Sequence, residues 1–140
     1  QQPTVQTSSP FGIVNLIGFV NPLQGSILVN RIKRGNSENF IEQLTIVKNR
    51  NRRYKKITIY VDNARWHKSK KIKVWLKENK RVCLRFLPKY APDLNPMERH
   101  WWYLRKRKTK NKVFESYSEC WNCINEHFKG LSKYQIIRLC

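Results

Sequence analysis

Two carboxylates in the sequence stand where metal-dependent chemistry is often found. Asp62 lies in the stretch VDNARWHKS (61–69), and Glu98 lies in FLPKYAPDLNPMERHWW (86–102). Carboxylate oxygens are the ligands that Mg²⁺ prefers in proteins. Two such ions about 3.5–4 Å apart activate a water molecule and stabilise the leaving oxygen when a phosphodiester is cleaved. The pair of acids therefore indicates a metal site that acts on phosphodiesters.

Each acid also has an explanation that involves no chemistry. Glu98 follows Asn95 by three residues, with Pro96 between them, which is close to a capping box at the start of a helix. Asp62 followed by Asn63 is typical of the turn that ends a strand. Taken one at a time, the structural explanations are favoured. The position of both acids at the ends of ordered elements is what favours a shared site.

The elements that must position these acids follow from hydrophobic periodicity. Apolar and more polar residues alternate over ITIYVD (57–62), which predicts a strand that ends at Asp62. VCLRFL (82–87) predicts another strand, and the helix that carries Glu98 is predicted to begin at Asn95. In α/β proteins, sites collect at the carboxyl ends of strands, which is where Asp62 is placed.

The remaining elements complete an α/β pattern. FGIVNLIGFV (11–20) and SILVNRIK (26–33) predict a hairpin, and Ser37 and Ser69 are predicted to cap two helices. A last amphipathic helix carries the apolar stripe Phe114, Tyr117, Trp121, Ile124 and Phe128. The order β-β-α-β-α-β-α-α predicts one domain with a mixed sheet and helices packed against it. Residues 1–10 are predicted to be a loop or ragged segment, and 11–140 the folded core.

The two acid-bearing stretches resemble the catalytic core of the mariner-like insertion-sequence transposases. These are DDE enzymes with the retroviral-integrase, ribonuclease-H-like fold, and the resemblance extends over nearly the whole chain from about residue 11. Asp62 matches the second acid of the family and Glu98 the third, with 35 residues between them. Asp93 matches a position that is not catalytic. The resemblance implies that Mg²⁺ or Mn²⁺, as two ions, supports strand cleavage at transposon ends and strand transfer to target DNA.

One expected feature of the family is missing from the sequence. The first Asp of the family lies on a first, central strand, and no aspartate precedes Asp62 in this chain. Glu38 and Glu42 are the only earlier acids, and both fall on the helix after the hairpin, where the family places no ligand. The prediction is therefore a ribonuclease-H-like mixed sheet that lacks its first strand. Such a fragment is expected to fold poorly alone.

The charge of the chain predicts a nucleic-acid partner. Lys and Arg number 29 against nine acidic residues, which gives a formal net charge of +20 that is best tolerated beside a polyanion. Seven of the fourteen residues from Arg99 to Lys112 are basic, more than stabilisation of a helix C-terminus explains. The residues predicted to contact DNA are Asn63, His67, Lys89, Tyr90, Arg99, Arg105, Lys106, Arg107, Lys108 and Lys110.

Several side chains keep more than one interpretation at this stage. His67, at the histidine position of the family, either orients the metal site, contacts the scissile strand, or is a loop histidine near the Ser69 cap. Trp66 and Tyr90 could stack on a splayed base, although packing is the simpler explanation for each. Trp101 and Trp102 are predicted to be the core and the flank of their helix. Cys120-x-x-Cys123 with His127 lacks the fourth ligand of a structural zinc site, so core packing is favoured.

The resemblance favours DNA as the partner, both the transposon ends and the target. It also implies that the protein binds this DNA as a homo-oligomer and that a separate upstream domain recognises the transposon ends. The alternative is a catalytically inactive DNA-binding remnant of a transposase. A basic ribonucleoprotein component would explain the charge but not the stretch PDLNPME (92–98). No apolar run approaches about 18 residues, so no membrane-spanning segment and no membrane partner are predicted. No small-molecule substrate is predicted either. The expected location is cytoplasmic, and nucleoid-associated if the source is bacterial.

Overall fold

The computed structural model describes residues 4–6, 13–89, 91–110 and 112–140. The strands are β1 (Thr4–Gln6), β2 (Ile13–Asn21), β3 (Ser26–Ile32), β4 (Ile57–Val61) and β5 (Val82–Phe86). The helices are α1 (Ser37–Arg50), α2 (Lys70–Glu78), α3 (Pro96–Leu104), α4 (Tyr117–Lys129) and α5 (Lys133–Leu139). Short 3-10 turns cover Arg65–Lys68 and Pro92–Leu94, and a π-helical turn covers Arg105–Thr109.

These elements form two compact units. The first, here called the parallel-sheet unit, contains Lys33–Asn95. The second, the hairpin unit, contains the described parts of Gln2–Ile32 together with Pro96–Cys140.

The parallel-sheet unit is built on two parallel strands and two helices. β4 pairs with β5 in register from Ile57 opposite Val82 to Val61 opposite Phe86. The apolar stripes of α1 and α2 face the two strands, and the buried apolar side chains of this unit are Phe40, Leu44, Val47, Val61, Ile72 and Val82. The alternation predicted for 57–62 is observed, since Thr58 and Tyr60 are exposed and Val61 is buried.

Both helices of this unit begin at side-chain caps. Ser69 caps α2 as predicted, with its hydroxyl accepting from the Ile72 N–H. For α1 the predicted cap was wrong by one residue, because the Asn36 side chain accepts from the Asn39 N–H. Ser37 is the first helical residue, and its hydroxyl instead lies 2.7 Å from the Ser69 hydroxyl.

The hairpin unit combines an antiparallel sheet with three helices. β2 pairs with β3 from Asn15 opposite Ile32 to Asn21 opposite Ser26, and β1 pairs with the start of β2. Gly25 closes the turn in a left-handed conformation, with φ of 69°, which glycine adopts without steric cost. Its N–H donates to the Asn21 carbonyl at 2.9 Å. The core contains Val14, Leu16, Val29, Met97, Trp101, Leu104, Phe114, Cys120, Ile124 and Phe128.

The observed order contains every predicted element and two more. β1 lies in the segment 1–10, where a loop was predicted, because Thr4–Gln6 pairs with the edge of β2. α5 was not predicted, since a seven-residue helix with one buried apolar residue, Ile136, gives almost no periodic signal. It begins at a capping box formed by Ser132 and Gln135. Residues 11 and 12 of the first predicted strand lie outside the described residues.

The five strands fall into two separate sheets. One is the antiparallel sheet β1-β2-β3, and the other is the parallel pair β4-β5. Within the described residues, no strand is hydrogen-bonded to both β2 and β4. Among the described residues, no helix is both long enough and apolar enough to cross a bilayer.

Gly18 on β2 allows the close approach of α3. A Cβ added at this position would lie 2.5 Å from the Met97 methyl and 2.8 Å from Cζ2 of the Trp101 indole. The Met97 side chain is flexible, but the Trp101 ring is buried in the core and has little room to shift.

We therefore expect Gly18→Ala to lower the free energy of unfolding by roughly 1–3 kcal/mol, the usual cost of overpacking a core. Urea denaturation followed by tryptophan fluorescence measures the change. Ser26→Ala, at an exposed position of β3, is the control and should stay within about 0.5 kcal/mol of wild type. Equal stability of the two variants would mean that α3 moves away from β2 without cost.

Candidate functional site

The end of β4 positions Asp62. The strand pairing continues past its last residue, because the Leu87 N–H donates to the Val61 carbonyl at 2.7 Å. The Asn63 side-chain amide donates to the Leu87 carbonyl and ties the turn after β4 to the end of β5. The residues immediately before and after Asp62 are thus both hydrogen-bonded to Leu87, at the end of β5. Asp62 lies at the carboxyl end of a strand, as the sequence predicted, and the structure adds that this strand belongs to a parallel pair.

The carboxylate of Asp62 is fixed by two donors from the following turn. Its Oδ1 accepts from the Ala64 N–H at 3.0 Å and lies 3.1 Å from His67 Nδ1. The same His67 nitrogen is 3.3 Å from the Asp62 backbone carbonyl. The 3-10 turn Arg65–Lys68 brings the histidine back over the strand end. Asp62 is 23% exposed and His67 is 7% exposed, so the carboxylate reaches the surface while its partner does not.

Aromatic packing holds the His67 ring in place. Its centroid lies 4.4 Å from that of Phe40 on α1 and 3.9 Å from that of Trp66. Trp66 is therefore a packing residue, which was the simpler of its two interpretations. Because His67 is buried, the geometry favours orientation of Asp62 over contact with a DNA strand.

The protonation state of His67 follows from its burial. Removal of the ring from water disfavours the charged imidazolium and lowers the pKa of His67 to about 3. The imidazole is thus neutral at neutral pH, and one tautomer donates from Nδ1 to the carboxylate. A neutral donor orients Asp62 without neutralising its charge.

Contacts that the sequence did not predict support this arrangement. The Ser37 hydroxyl lies 3.3 Å from the Trp66 carbonyl, which links α1 to the turn that contains His67. Lys68 Nζ donates to Asn63 Oδ1 at 2.9 Å and lies 4.8 Å from the centre of the Phe86 ring. The sequence contains no signal for these contacts, because they depend on how α1 packs against the turn.

Glu98 lies in the first turn of α3 and is partly exposed. A carboxylate in a first turn is favoured by the unpaired N–H groups and the dipole of the helix. Met97 and Trp101 of the same helix are buried and fix its orientation. The structural explanation of Glu98 therefore remains valid beside the catalytic one.

The side chains of Asp62 and Glu98 are of the type that binds a hard divalent cation, but they are only two. Asp62 and Glu98 supply carboxylate oxygens, the ligands of Mg²⁺ and Mn²⁺. Across 4–6, 13–89, 91–110 and 112–140, no group of three or more His, Cys, Asp or Glu side chains is arranged to hold a metal ion. A complete site would need a further ligand beside these two.

Most of the residues predicted to contact DNA are exposed. Asn63 is partly buried, His67 is buried, and Tyr90 lies outside the described residues. The exposed members are Lys89, Arg99, Arg105, Lys106, Arg107, Lys108 and Lys110. The four consecutive cations 105–108 lie on the π-helical turn, where the Lys110 N–H donates to the Arg105 carbonyl at 2.8 Å. The cations available for phosphate are therefore concentrated at the end of α3.

The cysteines and histidine of α4 belong to the core of the hairpin unit. Cys120 is fully buried, and burial raises the pKa of its thiol to about 11. His127 packs against Tyr103 and Phe128, and burial lowers its pKa to about 4. A protonated thiol is a poor metal ligand, so these contacts favour packing over zinc binding.

Comparisons with known proteins relate this chain to insertion elements. The family model described as DDE superfamily endonuclease matches residues 1–120. Over 80 residues the chain is 41% identical to the insertion element IS630 uncharacterized 39 kDa protein of Shigella sonnei, which covers 55% of this chain and 23% of that protein. It is 36% identical over 61 residues to the uncharacterized protein y4pE/y4sA of Sinorhizobium fredii, covering 44% and 42% of the two chains. The matches thus span less than half the length of these relatives.

Solved structures agree on the fold. The catalytic domain of Mos1 mariner transposase superposes with a TM-score of 0.78 at 19% identity, covering 99% of this chain and 72% of that one. A pre-cleavage Mos1 transpososome gives a TM-score of 0.75 at 20% identity and covers 99% and 44%. The predicted α/β, ribonuclease-H-like fold class is confirmed. Because the family model spans 120 of the 140 residues, the chain belongs to the DDE superfamily endonucleases.

Proposed function

We propose that the polypeptide that carries this chain is a transposase, which cleaves DNA at transposon ends and transfers the freed 3′ ends to target DNA. The observation that carries the proposal is an Asp62 carboxylate held at the end of β4 by Ala64 and His67, within a chain of the DDE family. The relative from Shigella sonnei is named as an insertion-element protein, which supports the proposal. So does the description of one Mos1 structure as a strand transfer complex.

In this proposal Asp62 and Glu98 are two of the metal ligands. Structures of the Mos1 catalytic domain with Mn and with Mg support a divalent cation as cofactor. When bound, such a cation polarises the scissile phosphodiester and the attacking oxygen. His67 positions the Asp62 carboxylate by donating to Oδ1 while remaining uncharged. Glu98 is carried by a helix whose orientation is fixed by Trp101 in the core.

A third carboxylate is the missing part of the proposed site. We infer that it is encoded on a strand upstream of Gln1, as the family pattern implies. Translation of the upstream DNA in all three frames tests this inference. An in-frame strand that ends in Asp supports an active enzyme, and the same strand in a shifted frame supports expression in two parts. Absence of such a strand from every frame would favour the alternative, an inactive DNA-binding remnant of a transposase.

The proposal also assigns DNA to the exposed cations of α3 and the turn that follows it. Six to eight neutralised phosphates give a slope of log K against log salt of roughly −5 to −7. We expect this slope for binding to duplex DNA, measured by fluorescence anisotropy over a range of salt concentrations. A slope near zero would remove nucleic acid as the main partner.

A charge-matched pair of variants locates the binding surface. Replacing Lys106, Arg107 and Lys108 by Gln should make the slope shallower by up to about 2.7, since each lost phosphate contact contributes about 0.9. The control removes three exposed lysines of the parallel-sheet unit, Lys73, Lys77 and Lys80, and should leave the slope within about one of wild type. Equal effects of the two triple variants would indicate binding through net charge alone. Because cleavage at two ends requires both ends to be held, we further propose a homo-oligomer on DNA.

A further inference from the structure

Two adjacent tryptophans of α3 lie in opposite environments. Trp101 is 2% exposed and packs against Gly18 on β2, whereas Trp102 is 55% exposed. The core of the hairpin unit therefore explains Trp101 but not Trp102. An isolated exposed apolar residue is common in proteins, so exposure alone carries no function. The surroundings of Trp102 are what distinguish it.

Every helical neighbour of Trp102 is charged. The residues three and four positions away are Glu98, Arg99, Arg105 and Lys106, and these positions adjoin one another on a helix surface. Lys106 Nζ lies 4.8 Å from the centre of the Trp102 ring. Arg99, Arg105 and Lys106 are all exposed. The ring is thus a flat apolar surface bordered by three cations and placed one turn beyond Glu98.

This combination of a ring and cations fits a nucleotide better than it fits another protein. A protein interface buries apolar side chains together, and none of the residues adjacent to Trp102 on the helix is apolar. A nucleotide presents a flat π-face beside a phosphate, which matches an indole beside Lys and Arg. Replacing the contact of Lys106 with the indole by a stacked base is favourable, because an exposed cation–π contact contributes less than a base stacked on an aromatic ring. Lys106, on its flexible stem, can leave the ring for the phosphate.

We propose that Trp102 stacks on an unpaired nucleobase of the DNA strand whose phosphates Arg99 and Lys106 bind. The proposal rests on the proposed function and adds the state of the DNA that the site prefers. A base inside a duplex has both faces covered by its neighbours, so the surface selects a base at a strand end or one displaced from its pair. In this role Trp102 is a positioning residue, placed near Glu98 along α3.

The test compares two DNAs of equal length and charge, one a blunt duplex and one with an unpaired 2-aminopurine at its end. The full polypeptide that carries this chain is used as wild type, Trp102→Ala and Trp102→Phe. Tyr134→Ala removes an exposed aromatic residue from α5 and is the matched control. Circular dichroism establishes that each variant is folded.

We expect Trp102→Ala to weaken binding to the frayed DNA about fivefold or more, the usual loss of one base stack, with less than twofold change on the blunt duplex. Trp102→Phe and Tyr134→Ala should both bind the frayed DNA nearly as wild type does. Quenching of 2-aminopurine should occur with wild type and disappear with Trp102→Ala, while the salt slope stays unchanged.

Three results would overturn the proposal. An equal loss on both DNAs would make Trp102 a general contact, and quenching that persists in Trp102→Ala would place the base elsewhere. A change in sedimentation of Trp102→Ala without DNA, with normal quenching, would make the ring a protein contact. Absence of salt-dependent binding to either DNA would instead reject the proposed function, and this inference with it.

Discussion

Replacing Asp62 by Asn should lower the rate of metal-dependent strand cleavage by roughly 100-fold or more, and Glu98→Gln should do the same. A bound metal contributes several kcal/mol of charge stabilisation in the transition state, and each 1.36 kcal/mol is tenfold in rate. The Asn side chain retains the acceptor for the Ala64 N–H but removes the negative charge. The turn after β4 should therefore keep its structure while metal affinity is lost.

A plasmid that carries the element with its own flanking DNA is the substrate for this measurement. Cleavage is followed on gels with Mg²⁺ or Mn²⁺, using the polypeptide that includes the upstream coding sequence. Removal of the metal with EDTA should abolish cleavage, and added Mn²⁺ should restore it in wild type only.

Asp93→Asn is the matched control for both acidic variants. Asp93 is exposed on the 3-10 turn just before α3 and, like Asp62, carries a carboxylate that can be neutralised without loss of volume. Its rate should remain within about twofold of wild type, since surface substitutions away from a site have small effects. Equal losses of cleavage rate in all three variants would show that the reaction depends on the negative charge of this region and not on metal coordination by Asp62 and Glu98.

Amide hydrogen exchange is expected to be much faster in β4 and β5 than in β2 and β3 of the isolated chain. Parallel sheets are normally buried on both faces, and a two-stranded sheet has little stability of its own. Tyr60 on β4 is 66% exposed and Phe86 on β5 is also exposed. β2, in contrast, is paired with β3 along its length and is covered by the core of the hairpin unit. We expect protection in β4–β5 to be lower by roughly tenfold or more.

Adding the upstream coding sequence provides the second half of this experiment. If it supplies a strand beside β4, exchange in β4–β5 should slow strongly, while exchange in β2–β3 changes less. The isolated chain should also show a broad thermal transition by circular dichroism. One sharp cooperative transition, with equal protection in both sheets, would contradict the prediction and mean that residues 1–140 form a complete folding unit.

The part of the site that could be predicted was the part governed by local periodicity. The alternation over residues 57–62 placed Asp62 at the end of a strand, and Pro96 placed Glu98 in the first turn of a helix. The contact of His67 with Asp62 could not be derived in this way. It depends on a four-residue 3-10 turn and on the Phe40 ring of a distant helix, which no local pattern encodes.

The limits of local sequence patterns also explain the errors in the predicted fold. Asn36 and Ser37 are both good caps, and only the backbone direction before α1 decides between them. β1 is three residues long and exists because the edge of β2 accepts it, so its own sequence contains little signal. For the two adjacent tryptophans, periodicity correctly separated core from flank. It did not reveal how far Trp102 is exposed or that Lys106 Nζ lies 4.8 Å from the centre of its ring.

The wide turn at Arg105–Thr109 has a consequence for how this family can vary in length. Its hydrogen bond spans five residues, from the Lys110 N–H to the Arg105 carbonyl, so the helix holds one residue more than an α-helical turn would. Loss of one residue there would return the backbone to ordinary α-helical bonding without disturbing the turns before it. The number of exposed cations can therefore change by insertion or deletion at the end of α3 while Glu98, two turns earlier, keeps its place.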